Sequence, residues 1–339
     1  MTMAVALPKK GPTSSADGGA LLLGRALMRV MSPGGTRGLS ILIYHRVLPQ
    51  QDPLFPGEVT RVDFDRQVGL VKSCFNVIPL LDAVRQVQAG TLPPRAACIT
   101  FDDGYADNAE IALPVLQAHG VSATFFVATG FLNGGRMWND TVIETVRHAR
   151  GARLDASTLG LGSHAIGSTA QRQAAIGALI GALKYLPMEE RLAQVGRLVE
   201  VAGVTLPGDL MMTSEQVRQL HRAGMGIGAH TVNHPILARL PLDQARLEIA
   251  QGKAELEAII GERVPLFAYP NGKPHGDYAA EHVALVKELG FEGAVSTAWG
   301  AHRSMVDTFQ LPRFSPWDKG NLRYLLRLAG NLTRPAQRV

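Results

Sequence analysis

Asp102 and Asp103 stand side by side in Ile99-Thr100-Phe101-Asp102-Asp103-Gly104, and His230 and His234 lie four residues apart in His230-Thr231-Val232-Asn233-His234-Pro235. If the chain turns helically there, both imidazoles point the same way and can share one cation. Asp103 would add a carboxylate, giving two nitrogens and an oxygen with a position left for water. That set suits zinc, cobalt or nickel in a catalytic site, since a structural zinc wants four closed ligands, usually with cysteine. Asp102 then needs its own role, because neighbouring carboxylates repel unless a cation separates them or one is protonated. With a cation on Asp103, Asp102 can stay ionised and take a proton from an attacking water. None of these residues is diagnostic alone. An Asp-Asp-Gly turn commonly closes a strand, and single histidines are mostly ordinary surface or core residues.

The elements that must position these side chains read as an alternating α/β chain. A length of 339 residues suits one large domain or two small ones, and 46% hydrophobic against 19% charged residues excludes a disordered or fibrous chain. Strands are expected at 39–47, 75–78, 96–101, 123–127, 225–229, 266–269, 293–297 and 311–314. Helices are expected at 63–74, 80–87, 108–119 (bent by Pro114), 213–223, 242–260 and 278–289. Between about 136 and 210 the alternation stops, and that stretch reads as a helical insertion without a convincing strand. Seven to eight strands separated by helices predict a distorted or incomplete (β/α) barrel. The catalytic barrel is expected at 39–318, after a basic leader and amphipathic helix at 1–38 and before a basic helix and tail at 319–339.

In such barrels chemistry sits where strands run into loops. The strand ends are Tyr44-His45-Arg46, Asp102-Asp103-Gly104, His230 to Pro235, and Tyr269-Pro270-Asn271-Gly272. No glycine-rich dinucleotide or P-loop motif is present, which removes the main support for a nucleotide cofactor. The net charge of +5 is uneven: residues 1–38 carry +4, 319–339 carry +5, and the body between them −4. A body of that sign excludes nucleic acid as the partner. No apolar run approaches the length of a membrane span. Arg25 and Arg29 interrupt the only stretch resembling a secretory signal. Cys74 and Cys98 form no disulfide framework. A cytoplasmic protein is expected. The leucine-and-arginine helices at 20–31 and 322–332 either lie on the inner face of an anionic membrane or simply cap the core.

Taken together, the Thr100 to Gly104 and His230 to Pro235 stretches resemble the first two motifs of the NodB-homology polysaccharide deacetylases, carbohydrate esterase family four. Tyr44-His45-Arg46-Val47 and Ala123-Thr124-Phe125-Phe126 are also similar, so the resemblance spans roughly residues 39–314. It implies a distorted barrel, a divalent metal and hydrolysis of N-acetyl groups, a carbon–nitrogen bond of a linear amide. The substrate would be an amino sugar in a glycan or lipid-linked precursor. By the same resemblance Asp102 is the general base and Asp103, His230 and His234 are the metal ligands, with Thr231 supporting them by hydrogen bonding. Phe267-Ala268-Tyr269-Pro270-Asn271-Gly272 resembles a variant third motif without its adjacent arginine, so Arg263 or Arg313 would orient Asp102. Tyr269, Pro270 and Asn271 would face the substrate, with a backbone N–H near Tyr269 binding the oxyanion. No clear match to the family's late histidine is visible; His45, His275 and His302 are the candidate proton donors. Trp138 either stacks on a sugar or anchors the insertion. An N-formyl, O-acetyl or cyclic-amide hydrolase on the same site, and a glycan-binding protein without turnover, are the alternative readings.

Overall fold

The computed structural model describes residues 25–26, 28–301, 307–315 and 318–339. Half of the helix expected at 20–31, and all of His302, lie outside them. The first half runs β1 (Ser40–Tyr44), α1 (Arg61–Cys74), β2 (Asn76–Val77), α2 (Leu80–Ala89), β3 (Ala96–Phe101), α3 (Leu113–His119), β4 (Thr124–Val127) and α4 (Trp138–His148). Then come β5 (Arg153–Ala156), β6 (Gly162–Ala165), α5 (Thr169–Leu183), α6 (Met188–Ala202) and α7 (Ser214–Arg222). The chain finishes with β7 (Gly226–Ala229), α8 (Leu242–Ile260), β8 (Leu266–Ala268), α9 (Ala280–Glu288), β9 (Gly293–Val295) and α10 (Asn321–Leu332).

Seven strands form one curled, all-parallel sheet in the order β1-β3-β4-β7-β8-β9, with β2 paired to the start of β3. Every residue of β1, β3 and β4 is buried, as expected of parallel strands covered on both faces. The segment 311–314, expected as a strand, pairs through isolated bridges instead. Leu311 bonds to Ala294 of β9 and to Ser296 just after it, while Phe314 bonds to β1 at Ile41 and Ile43. It therefore brings the two edges of the sheet together into a distorted barrel.

Alternation along the strands sorts side chains into two cores. Leu42, Ile99, Phe101 and Phe125 face outward onto the helices, where Tyr44, Phe101 and Phe125 stack at 5.4 and 4.8 Å between centroids. Each such aromatic pair is worth about 1 kcal/mol beyond its buried area. Ile41, Cys98, Phe126, Ala268, Val295 and Leu311 form the other core, which α2 covers with Leu80, Val84 and Val87. The same parity puts Thr100 and Asp102 on the face that carries Cys98. Gly228 leaves room there: a Cβ on it would lie 2.3 Å from the Phe126 ring.

Three local departures have simple causes. The stretch expected as one helix at 108–119 opens as a π-turn over Asn108–Ala112 before α3, because Pro114 has no N–H for the ladder. The insertion is not wholly helical: β5 and β6 form an antiparallel hairpin, too short for alternation to register in the sequence. With α4, α5 and α6 it builds a separate core around Val142, Ile176, Leu179 and Leu198, joined by Leu54. At the C-terminus, α10 buries Tyr324, Leu325, Leu328 and Leu332 while Leu322 and Leu326 stay exposed. Among the described residues no helix is long and apolar enough to cross a membrane.

Gly228→Ala should lower stability by about 1–3 kcal/mol, because the added methyl collides with Phe126. Urea unfolding measures this, and an unchanged midpoint would show that the ring can move aside.

Candidate active site

The loop after β7 brings the two histidines together without the helical turn expected from their spacing. The backbone is left-handed at Thr231 (φ 64°) and at His234 (φ 51°), and Asp103 shares that conformation at φ 76°. For residues other than glycine this costs about 1–3 kcal/mol each and persists only when the surroundings impose it. The imposing groups are visible. The Thr231 hydroxyl accepts from the His234 N–H at 3.1 Å and donates to the His230 carbonyl. Glu248, on α8, accepts from the Val232 N–H, the Asn233 N–H and the Asn233 side-chain amide at 2.8–3.0 Å. Gly252, one turn further along α8, lets the helix press so close that a Cβ would meet the Thr231 backbone at 2.8 Å.

The outcome is convergence. The Asp103 Oδ1 lies 3.5 Å from the His230 Nε2 and 3.4 Å from the His234 Nε2. The donor atoms of the three residues all fall within 4.8 Å of one another. His230 Nδ1 is 2.8 Å from the Ala268 carbonyl, which assigns a proton to Nδ1 and turns Nε2 toward Asp103. Burial pushes the Asp103 carboxyl upward, but His230 and the charges of His234 and His45 hold it well below the usual range. Burial also pushes His234 down to about 4, so it is neutral and able to ligate near pH 7. The Asp103 Oδ1 is buried without a hydrogen-bond partner among the described residues. An orphaned carboxylate oxygen facing two imidazole nitrogens fits a divalent cation with a mixed nitrogen and oxygen preference.

Asp102 points elsewhere. Its two oxygens accept from Arg313 Nη1 and Nη2 at 2.6 Å each, a bidentate pair with side-chain exposures of 3% and 0%. Arg313 also donates from Nε to the Ser296 carbonyl at 3.0 Å and from Nη1 to the Thr100 hydroxyl at 3.2 Å. Burial pushes the Asp102 carboxyl up, yet the Arg313 charge, followed by that of His230, brings it below its ordinary value. Asp102 is thus ionised at neutral pH. Arg263, the other arginine considered for this contact, bonds the Gly290 carbonyl instead.

A cavity of about 580 Å³ opens onto Asp102, Asp103, His230 and His234. His45, Asn271 and Trp138 also line it. Trp138 both faces the cavity and packs on the insertion core. Tyr269 does not face the substrate space. Its ring stacks on Tyr278 at 4.0 Å, its hydroxyl donates to Phe309, and its N–H is spent on the Val295 carbonyl at 3.2 Å. It therefore supplies no oxyanion donor, and Pro270, which has no N–H, is buried and outside the cavity lining. His275 is exposed away from the cavity.

Sequence reasoning missed the supports. Glu248 was indistinguishable from any other charge on an amphipathic helix. Arg46 bonds Asp107 at 2.8 Å, and Asn108 bonds the His45 carbonyl at 2.8 Å, pinning the loop that carries His45. Tyr105 donates to Asp140 at 3.0 Å, tying α4 to the aspartate loop. Burial pushes that Asp140 carboxyl up to about 7, with the tyrosine bond opposing the shift and the Asp103 charge adding to it. These links run between elements distant in the chain, and only their residue types were visible beforehand.

Comparison with known proteins is consistent with this arrangement. The sequence profile of the family described as polysaccharide deacetylase matches residues 89–150 and 193–294. A relative named as a polysaccharide deacetylase, YxkH of Bacillus subtilis (strain 168), is 22% identical over 207 residues, 61% of this chain and 46% of its own. The chain thus spans about half the length of that curated relative. The fold is similar to that of the Streptococcus pyogenes deacetylase PplD in complex with acetate: TM-score 0.58, 18% identity, 86% of this chain and 97% of that one. It is also similar to IcaB from Ammonifex degensii: TM-score 0.55, 19% identity, 88% and 98% coverage.

Because Glu248 alone holds three donors of the histidine loop, Glu248→Ala should weaken divalent-ion binding about 10- to 100-fold. Titration of the metal-free protein with zinc or cobalt reads this. Unchanged affinity would assign the loop geometry to Thr231 and the α8 contact.

Proposed function

The chain belongs to the polysaccharide deacetylase family, and from that premise we propose that it hydrolyses N-acetyl groups on amino sugars of a glycan or glycan precursor. One observation carries the reading most of the way. Of two adjacent carboxylates, one faces two imidazoles and the other is locked by a guanidinium beside them, so the two are geometrically separated into different tasks.

In this reading Asp103, His230 and His234 hold a divalent cation, zinc by the balance of two nitrogens and one carboxylate. When bound, that cation supplies positive charge that acidifies a water and polarises the amide carbonyl. Asp102 takes the proton from the attacking water. Arg313 keeps both Asp102 oxygens oriented and ionised, so the base is in its active protonation state before substrate arrives. Collapse of the tetrahedral centre breaks the carbon–nitrogen bond and needs a proton for the leaving amine. His45, exposed where β1 ends and lining the same cavity, is the donor in this scheme. Asn271, held by the Thr297 hydroxyl bond to its carbonyl at 2.6 Å, lines the cavity at the end of β8 and contacts the sugar. The products are acetate and a free amino sugar. Acetate in the PplD complex accords with this product, as a statement about that relative.

The test is acetate release from N-acetylglucosamine oligomers and lipid-linked N-acetylated glycans, with and without chelator, alongside formate release from N-formyl analogues. Asp102→Asn should retain one zinc per chain while acetate release falls at least about 100-fold. Activity near wild type in that variant would remove Asp102 as the base. Formate without acetate would move the reading to a deformylase.

A further inference from the structure

The catalytic residues occupy one wall of the cavity, and the insertion supplies another. On that second wall Arg191, from α6, is 8% exposed and lines the cavity. Its Nη1 donates to the Lys184 carbonyl at 3.1 Å, and its guanidinium lies 4.9 Å from the centre of the Trp138 ring. Its Nε is buried with no hydrogen-bond partner among the described residues. The other arginines lining the cavity are paired: Arg46 with Asp107, Arg147 with Asp52 and Glu144, and Arg313 with Asp102. Among the described residues Arg191 has no carboxylate against it, and burial acts on its charge, pulling its pKa down. Lys184, just past α5, lines the same wall, and among the described residues it too has no carboxylate partner.

A buried guanidinium without a counter-charge is costly, and proteins ordinarily pair it. The planar fork, backed by Trp138 and with its buried Nε left unpartnered among the described residues, matches the geometry of a bidentate oxyanion. We propose that Arg191 and Lys184 form a subsite for an anionic oxygen group, a phosphate ester or a uronate carboxylate, carried by the acetylated sugar substrate. This deepens the deacetylase reading and rests on it for the acetyl group, though not for the anion. Both residues lie in 151–192, between the two segments that the family profile matches, whereas Trp138 lies within a matched segment. The subsite therefore belongs to the part of this chain that departs from the family pattern. The acyl group would be set by the metal wall and the charge of the glycan by the insertion.

Acetate release is compared among N-acetylglucosamine oligomers that are neutral, 6-phosphorylated or joined to glucuronate. Calorimetry of N-acetylglucosamine 6-phosphate and of glucuronate binding to Asp102→Asn protein provides a readout independent of turnover. Wild-type protein should favour one anionic series, which identifies the phosphate or the carboxylate as the group. Arg191→Gln should lower kcat/KM for that series about 10- to 100-fold relative to the neutral one, the scale of a lost charged hydrogen bond. Arg191→Lys should restore part of the difference, because it keeps the charge without the fork. Lys184→Met, at a half-buried position, gives a second reading if Arg191→Gln fails to fold. Equal turnover of neutral and anionic substrates, with no calorimetric dependence on Arg191 or Lys184, overturns the subsite and leaves the deacetylase reading intact. Anion binding that depends on Arg191, without acetate release from any substrate, supports the subsite and defeats the deacetylase reading.

Discussion

The buried pair between Asp102 and Arg313 is the constraint around which the site is arranged. A carboxylate taken out of water beside a second carboxylate would protonate or repel its neighbour unless a fixed positive charge held it. Arg313 provides that charge with both nitrogens at 2.6 Å and is itself fixed by Ser296 and Thr100. With Asp102 settled, Asp103 can turn toward His230 and His234, so two residues adjacent in sequence serve opposite directions in space. Breaking one side of such a pair typically costs about 3–5 kcal/mol. The geometry of the aspartate loop is therefore held by electrostatics as much as by packing.

The second histidine-bearing loop is held differently. Left-handed backbone at Thr231 and His234 stores unfavourable energy, and it is opposed by three bonds to Glu248 and by the close approach of α8 at Gly252. Preorganisation of this kind means that the donors already face one another, with the cost of their orientation met by the fold. The barrel interior takes part as well. Phe126 fills the space that the missing Gly228 methyl leaves open in the barrel interior.

The parts legible in the sequence were those with a local signature. Buried strand runs such as 96–101, and ligand-type side chains at strand ends, located the barrel and the cluster because parallel strands are apolar throughout and loops carry their chemistry. The parts that were not legible depend on the third dimension. The choice of Arg313 over Arg263 rests on which segment reaches the barrel interior, and both candidates read alike in sequence. Tyr269 stood at a strand end, yet its N–H is consumed by sheet pairing to Val295, which strand position alone does not reveal. The β5–β6 hairpin consists of four-residue strands, too few for a period of two to be seen. Glu248 and Arg191 were ordinary helix charges until their surroundings were known.

Arg313 lies 211 residues beyond Asp102, on the segment that joins the first strand of the sheet to the last. A ribosome delivers Asp102, Asp103 and both histidines long before it delivers that guanidinium. The pair therefore joins residues far apart in the chain, and contacts of such high sequence separation form slowly. Maturation of the pocket is thereby tied to closure of the barrel by the segment 311–314, which places the guanidinium against Asp102 only when the two sheet edges meet.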